Sequence, residues 1–210
     1  MTIAASEINW YRSTTVNDTS SNGGRLSTTE QVDGLTNSLW PDISESERTA
    51  GSTKYRKTFI KIDNADDTAL QTVKIGLLAP TPGDDIVTLF PGTNTDIQSG
   101  IGTPDLYGAG TLDSPASASA STIDVLVEDG AVVIFHDGDA IRISDKETAG
   151  EPDIDGTGNE EFHVINGTPT IAGDVVTITL TGTLANSYST NAVVSSLIEV
   201  ASIVASVTGK

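Results

Sequence analysis

The stretch that decides the fold class is Ser121–Ser144, "STIDVLVEDGAVVIFHDGDAIRIS". Ile123, Val125 and Val127 recur at period two, which is the pattern of a β-strand with one buried face. Asp-Gly follows at 129–130 and again at 137–138, and this dipeptide favours tight hairpin turns. The stretch therefore predicts three strands joined by turns, with "AVVIFH" as the second strand and "AIRIS" as the third.

The same pattern continues toward the C-terminus. "EEFHVI" (160–165) ends at Asn166-Gly167, another turn sequence, and "DVVTITLTG" (174–182) alternates apolar residues with threonines. "AVVSSLIEVASIVASV" (192–207) is rich in β-branched residues and favours strand, although its alanines and serines also allow a helix. These segments predict a meander of β-hairpins.

The N-terminal part is predicted to be mainly β with one short helix. In "DISESERTAG" (42–51), Ser44 and Glu47 have the spacing of a capping box, and Gly51 is placed to end the helical turn. "KYRKTFIKIDN" and "LQTVKIGLLAP" follow as two strand candidates. The helix is expected to be isolated among strands.

Composition divides the chain into three predicted regions. Residues 80–121 are rich in proline, glycine and serine, which is typical of a long loop, arm or linker. We expect an N-terminal β region at 1–79, this arm at 80–121, and an acidic β domain at 122–210. The predicted fold class is mainly β, with one or more β-sandwich or jelly-roll-like modules; a single sandwich and two domains both remain open.

The charge is unevenly distributed along the chain. The net charge is −18, and residues 1–74 hold eight basic and ten acidic residues, whereas residues 75–210 hold three and nineteen. An acidic surface repels nucleic acid and anionic membranes, so we expect neither as a partner. The absence of cysteine excludes disulfides, thiolate zinc sites and cysteine nucleophiles. No apolar run reaches membrane-spanning length, and we expect a soluble, non-secreted protein.

Four basic residues concentrate in "KYRKTFIKI": Lys54, Arg56, Lys57 and Lys61. Charged side chains protect a solvated edge strand from aggregation, which is the first interpretation. The second interpretation is an interface that meets an acidic neighbour. The four residues are the interface candidates of the sequence.

The acidic segment "SDKETAGEPDIDGTGNEEF" (144–162) resembles the start of a calcium loop. With Asp153 and Asp155 at positions one and three, Gly158 falls at position six, but Val164 occupies position twelve, where an EF-hand has glutamate. Glu160 and Glu161 are the other weak candidate ligands. We favour a solvated acidic turn and expect no cofactor, with calcium as the alternative.

No catalytic motif is present. The chain lacks the nucleophile-elbow, phosphate-loop and zinc-protease sequences, and His136 and His163 have no cysteine or third histidine beside them. A glycosidase pair of carboxylates needs a cleft with aromatic residues, and aromatic residues are few. We expect a protein that is not an enzyme.

The runs "YRSTTVNDTSSNGGRLS", "LWPDISESERTAGSTKYRKTFIKIDNADDTAL", "DGDAIRISD" and "GNEEF" together resemble a type of structural protein of tailed bacteriophages. "ERTAGSTKYRK" is the most recognisable part of this resemblance. The resemblance implies a virion component found in the particle, and in the bacterial host cytoplasm during assembly. It implies no active site.

Two classes of function follow. The first is an assembly protein, with capsid decoration preferred over a neck, collar or baseplate role, whose partners are other virion proteins, including the major capsid protein, and further copies of itself. The second is a calcium- or glycan-binding β-sandwich in which Trp10 or Trp40 stacks on a sugar. We favour the first class.

Overall fold

The computed structural model describes residues 3–32, 34–64, 68–146 and 157–203. Within these ranges the chain is mainly β with antiparallel pairing, which confirms the predicted class and is consistent with a sandwich-like arrangement. The strands are β1 (Ile8–Thr15), β2 (Gly23–Glu30), β3 (Thr58–Ile62), β4 (Leu70–Ile75), β5 (Ala109–Leu112), β6 (Thr122–Leu126), β7 (Ala140–Ser144), β8 (Glu160–Val164), β9 (Thr170–Ala172), β10 (Val175–Thr179) and β11 (Val193–Ile203). The helices are α1 (Glu45–Ala50) and the 3-10 turns Ala5–Glu7 and Gln98–Gly100.

The chain forms two compact units. Unit 1 comprises Met1–Val73, Gly92–Thr103 and Val200–Lys210, and unit 2 comprises Lys74–Pro91 and Pro104–Glu199. The unit boundaries therefore differ from a simple division into consecutive regions. The predicted arm, 80–121, contributes residues to both units.

Unit 1 contains a three-stranded sheet in the order β2–β1–β3. In the pairing of β1 with β3, Trp10 lies opposite Ile60 and Tyr11 opposite Phe59. The start of β2 is fixed by the segment 92–103, because Gly23 pairs with Ile97 and the Gly24 N–H donates to the Asp96 carbonyl at 2.7 Å. This segment, which lies in the predicted arm, is thus an ordered part of unit 1.

The predicted helix is confirmed as α1. The Ser44 hydroxyl accepts from the Glu47 N–H at 3.3 Å, while the Ser44 N–H donates to the Glu47 carboxylate at 2.9 Å. Gly51 follows the helix with φ of +73°, a left-handed conformation that glycine adopts without strain. The capping box and the terminating glycine were both readable from the sequence.

Unit 2 is built on a larger sheet with the order β8–β7–β11–β5–β6–β10–β9, and β4 pairs with β11. The sheet curls, since Ile165 after β8 forms a bridge with Leu180 after β10. The inward residues of five strands meet in one apolar core. They include Leu112, Ile123, Val125, Ile141, Ile143, Val176, Ile178 and Val194, packed with Phe135, Leu184 and Tyr188.

The alternation read from the sequence is confirmed in β6, β7 and β10, whose apolar residues at alternate positions are buried in this core, whereas Leu126 of β6 is 45% exposed. The predicted meander is wrong in two places. "AVVIFH" is not a strand, because the Asp129 carboxylate accepts from the Ala131 N–H and holds a turn, after which Ile134 and Phe135 enter the core from irregular chain. In addition, β11 lies between β7 and β5, so the sheet includes long-range crossovers.

Residues 80–121 contain β5, an inner strand of the sheet between β11 and β6. Further along the same region, Leu89 pairs with Tyr107 and Ala116 with Tyr188. Gly110 permits the close approach in β5, since a Cβ at this position would collide with the Leu126 carbonyl. The Gly- and Pro-rich region therefore contains the strand β5, which sequence patterns do not reveal because it has almost no apolar alternation.

Candidate interaction surface

The four basic candidates lie in unit 1, within or shortly before β3. The structure shortens the predicted strand: β3 begins at Thr58, so Lys54, Arg56 and Lys57 precede it and Lys61 alone lies within it. Within the described part of unit 1, β3 is an edge strand of the sheet. Whether these residues contact an acidic neighbour stays a prediction, but their contacts within the chain are well defined.

Arg56 is buried, with 5% of its side chain exposed. Its guanidinium lies 2.7 Å from Asp18, donates to the carbonyls of Leu39 at 3.0 Å and Asn17 at 3.3 Å, and stacks 5.3 Å from the centre of the Trp40 ring. Two separate segments, 17–18 and 39–40, therefore meet on one cation. The hydrogen bond from Arg56 holds the pKa of the Asp18 carboxyl below its ordinary value.

Lys54 connects the same cluster to α1. Its ammonium lies 2.8 Å from Glu47 and 3.7 Å from Asp18. The hydrogen bond from Lys54, together with those at Ser44, lowers the pKa of Glu47 to about 2, and the hydrogen bond with Glu47 raises the pKa of Lys54. Lys54 and Arg56 thus hold together segments of unit 1.

Lys57, directly before β3, and Lys61, within it, each lie over an aromatic ring. The Lys57 ammonium donates to the Asp96 carbonyl at 3.0 Å and lies 5.1 Å from the Phe59 ring centre, and burial lowers the pKa of Lys57. The Lys61 ammonium lies 2.9 Å from Asp63 and 5.6 Å from the ring centre of Tyr11. Side chains alternate along an extended chain, so Lys57, Phe59 and Lys61 share one face.

An open depression in unit 1 includes this face. It is lined by Arg25, Leu26, Phe59, Ile60, Lys61, Asn94 and Thr95, and we call it the cationic depression. Arg25 is exposed and makes no hydrogen bond or ion pair with any residue in the described ranges, in contrast to the buried Arg56. Sequence reasoning missed Arg25 because "GGRLSTTE" has no apolar period that would mark β2 as a strand.

The candidate metal ligands do not come together in the described chain. Asp153 and Asp155 lie outside the described residues, and Glu160 and Glu161 point to opposite faces of β8. Glu160 contacts Arg142 and Lys146, and the hydrogen bond from Arg142 is the main cause that lowers the pKa of Glu160. Across the residues that the structure describes, no group of three or more histidines and carboxylates is placed to hold a metal ion.

Glu161 has a structural role on the other face of β8. Its carboxylate accepts from the N–H groups of Ala185 at 2.8 Å and Asn186 at 3.1 Å, and it lies 2.9 Å from His163 Nε2. Burial opposes ionisation, but these contacts prevail and lower the pKa of Glu161 to about 2. His136 has a similar local partner, since its Nδ1 lies 2.9 Å from Asp139.

No family model matches the chain, and no curated protein matches its sequence. A search of solved structures finds a partial likeness to the Gp54 tailspike of Acinetobacter baumannii bacteriophage AP22, solved in complex with A. baumannii capsular saccharide. The identity is 18%, the TM-score is 0.30, and the match covers 44% of this chain and 15% of the tailspike chain. A likeness of this extent does not define a shared function. Among the described residues, no helix is long and apolar enough to cross a membrane.

Proposed function

We propose that this chain is a non-enzymatic structural protein of a tailed-bacteriophage particle and that, within the particle, it decorates the outer face of the capsid. The observation that carries the proposal is the separation of charge between the two units. Unit 1 holds eight basic and eleven acidic residues, whereas unit 2 holds three basic and eighteen acidic residues. Unit 2 is therefore strongly anionic and unit 1 is close to neutral.

The internal contacts of unit 2 increase this contrast. Lys74 pairs with Glu199, and Arg142 and Lys146 both pair with Glu160, so each of its three cations is engaged within the unit. Unit 2 has three cations against eighteen carboxylates, so its charge stays strongly negative after these pairs have formed. A surface of one charge repels similar surfaces, which favours dispersed particles when that surface faces outward. The nearly neutral unit 1 is then the side that attaches to the capsid.

The sequence resemblance gives this surface its context. Its most recognisable part, "ERTAGSTKYRK", covers most of α1 and continues through Lys54 and Arg56 to Lys57. In the structure Lys54 joins α1, through Glu47, to the loop that contains Asp18, and Arg56 contacts the same Asp18. The segment is therefore a structural tie of the unit that we assign to attachment. The proposed partners are the major capsid protein and neighbouring copies of the chain.

Quantifying the protein in purified particles tests the proposal. A decoration protein is expected at a copy number comparable with that of the major capsid protein, and a purified sample is expected to show neither binding to glycans nor hydrolysis of them. A small, fixed number of copies per particle would instead assign the protein to the neck or the baseplate. Absence from particles, or saturable binding to a glycan, would overturn the assembly role.

A further inference from the structure

We propose that the cationic depression of unit 1 docks on the anionic surface of unit 2 in a second copy of this chain, at the carboxylates Asp85, Glu128 and Asp129. The inference deepens the proposed assembly function, and it rests on that function only in assuming that the protein acts through its surfaces. The partner is a second copy of the chain, and the contact joins unit 1 of one copy to unit 2 of the other, which is a head-to-tail arrangement.

The first side of the contact is the cationic depression. Arg25 offers a guanidinium without a partner in the described chain, and Leu26 beside it is 43% exposed. Phe59 lines the same depression, and the Lys57 ammonium lies over its ring. Arginine and aromatic residues are enriched at the centres of protein interfaces, because both combine apolar area with directed polar contacts. The depression thus has the composition of a docking surface for an acidic partner.

The second side lies in unit 2. Asp85, Glu128 and Asp129 line one small cavity, and Ile86, 43% exposed, lines it too. None of the three carboxylates forms an ion pair with a basic residue in the described parts of the chain, although Asp129 also accepts from the Ala131 N–H. Carboxylates beside an apolar side chain are the chemical complement of Arg25 beside Leu26 and Phe59. Lys61 also lines the depression, and its ammonium pairs with Asp63 of the same chain.

Charge complementarity favours a second copy over a small anion as the occupant. The depression is open and Arg25 is exposed, whereas sites for small ligands enclose their ligand and direct a few buried polar groups at it. Binding of an acidic protein surface instead needs a broad surface of opposite charge. Such charge steers the association of the two proteins and fixes the register of their contact. A chain with eighteen acidic residues in unit 2 supplies that surface itself.

The two sides of the contact consist of different residues, so the contact is heterologous. Such contacts leave one free side of each kind on every pair and continue into rings or open arrays. Every copy carries both sides, so a weak contact of this kind is repeated from copy to copy. Exposed charge pairs contribute only about 0 to 1 kcal/mol each, so the contact is expected to be weak and sensitive to salt.

Four single variants test the contact in the purified full-length chain. Arg25→Glu reverses the first side and Glu128→Arg reverses the second. Arg48→Glu is the matched control for the first, because Arg48 is an exposed arginine of unit 1 outside the depression, and Asp113→Arg is the control for the second. Circular dichroism and thermal unfolding establish that all four remain folded.

Sedimentation velocity at increasing concentration, in low and high salt, gives the readout. The parent is expected to self-associate in low salt and to dissociate as salt rises. Arg25→Glu and Glu128→Arg are each expected to weaken self-association about tenfold or more, whereas both controls behave as the parent does. An equimolar mixture of the two reversed variants is expected to associate again, since each supplies the side that the other has lost.

A parent that stays monomeric in low salt overturns the inference, as do reversed variants that associate like the parent or a mixture that fails to regain association. A parent that stays monomeric but binds citrate saturably, with binding lost in Arg25→Glu, would assign the depression to a small anion instead. These outcomes are separable from the proposed function. A monomeric protein that is still abundant in particles contradicts the contact alone, and a self-associating protein absent from particles contradicts the virion role alone.

Discussion

Arg56 organises unit 1 through one buried guanidinium that contacts Asp18, two backbone carbonyls and the face of Trp40. A solvated edge charge would have none of these contacts. The consequence for experiment is direct: reversing Arg56 would report on the folding of unit 1 rather than on an interface. Arg25 is the arginine that tests the surface.

Replacing Arg56 with methionine is expected to destabilise the protein by about 2 kcal/mol, because the carbonyls and Asp18 lose a charged donor that water replaces only in part. Urea unfolding followed by tryptophan fluorescence measures the change. Arg48→Met is the control, since Arg48 is exposed on α1 and is expected to change stability by less than about 0.5 kcal/mol. Equal stability of the two variants would contradict the structural role of Arg56.

The ionisation of Glu161 makes the stability of unit 2 depend on pH. Its folded-state pKa of about 2 lies below its ordinary value of 4.5, so its contribution to stability is complete above about pH 4.5 and is lost as pH falls toward 2. Glu161→Gln is expected to cost about 2 kcal/mol at pH 7, because it removes a charged acceptor from two backbone N–H groups. The difference in the free energy of unfolding between the parent and Glu161→Gln should shrink as pH falls from about 4.5 toward 2.

Thermal unfolding of the parent and Glu161→Gln at several pH values measures this effect. Glu128→Gln serves as the control, because Glu128 is exposed and has no hydrogen bond or ion pair in the described chain. A difference between the parent and Glu161→Gln that stays constant from pH 7 to pH 2 would show that the ionised carboxylate does not hold the turn at 185–186.

At the level of single residues, the sequence revealed which side chains share a face but not which partners they find. Alternation along an extended chain puts Lys57, Phe59 and Lys61 on one face, where Lys57 lies over the Phe59 ring and Lys61 over the Tyr11 ring. The partner of Arg56 could not be inferred, since Asp18 lies on a loop 38 positions earlier and nothing local links the two. Ion pairs between distant segments depend on the tertiary fold, and local pattern carries no information on them.

Among the elements, the start of β2 depends on a glycine. Gly23 has φ of +111°, and a Cβ there would lie 2.6 Å from the Asp96 carbonyl oxygen. Gly23→Ala is therefore expected to destabilise unit 1 by more than about 2 kcal/mol, through backbone strain and collision with a backbone atom that cannot easily move. Gly100→Ala is the control, because Gly100 has open space around its Cα.

Chemical denaturation of the two glycine variants measures this difference. Hydrogen exchange adds a local readout: the amide of Gly24, which donates to Asp96, should lose protection in Gly23→Ala and keep it in Gly100→Ala. Unchanged stability and unchanged protection at Gly24 in Gly23→Ala would contradict the contact between β2 and the segment 92–103.

The elements that sequence reasoning found are those that place apolar residues at alternate positions in the core. The strands β6, β7 and β10 each place alternate apolar residues in the core, so their pattern is visible. The inner strand β5, "AGTL", is short and begins with small residues, and its position depends on close packing of Gly110 rather than on apolar alternation. "AVVIFH" was mistaken for a strand because a continuous apolar run predicts burial but not backbone conformation.

At the scale of the whole molecule, the charge separation found along the sequence persists in the folded units. The boundaries of the two units differ from those of the predicted regions, because residues 92–103 lie in unit 1 although they fall within the predicted arm. The acidic excess of unit 2 nevertheless remains, and each cation of that unit is paired internally. The net charge of a region changes little when its boundaries change, because it depends on composition. The boundaries themselves depend on long-range strand pairing.

The proposed role of this chain is to decorate the capsid exterior with unit 2 facing outward. Electron cryomicroscopy of particles with and without the protein, compared as a difference map, tests this role. We expect additional density that repeats over the outer face of the capsid, with a gold label attached at Asp113 of unit 2 lying farther from the shell than a label at Arg48 of unit 1. Difference density confined to the neck or tail, or the label on unit 1 lying outermost, would contradict it.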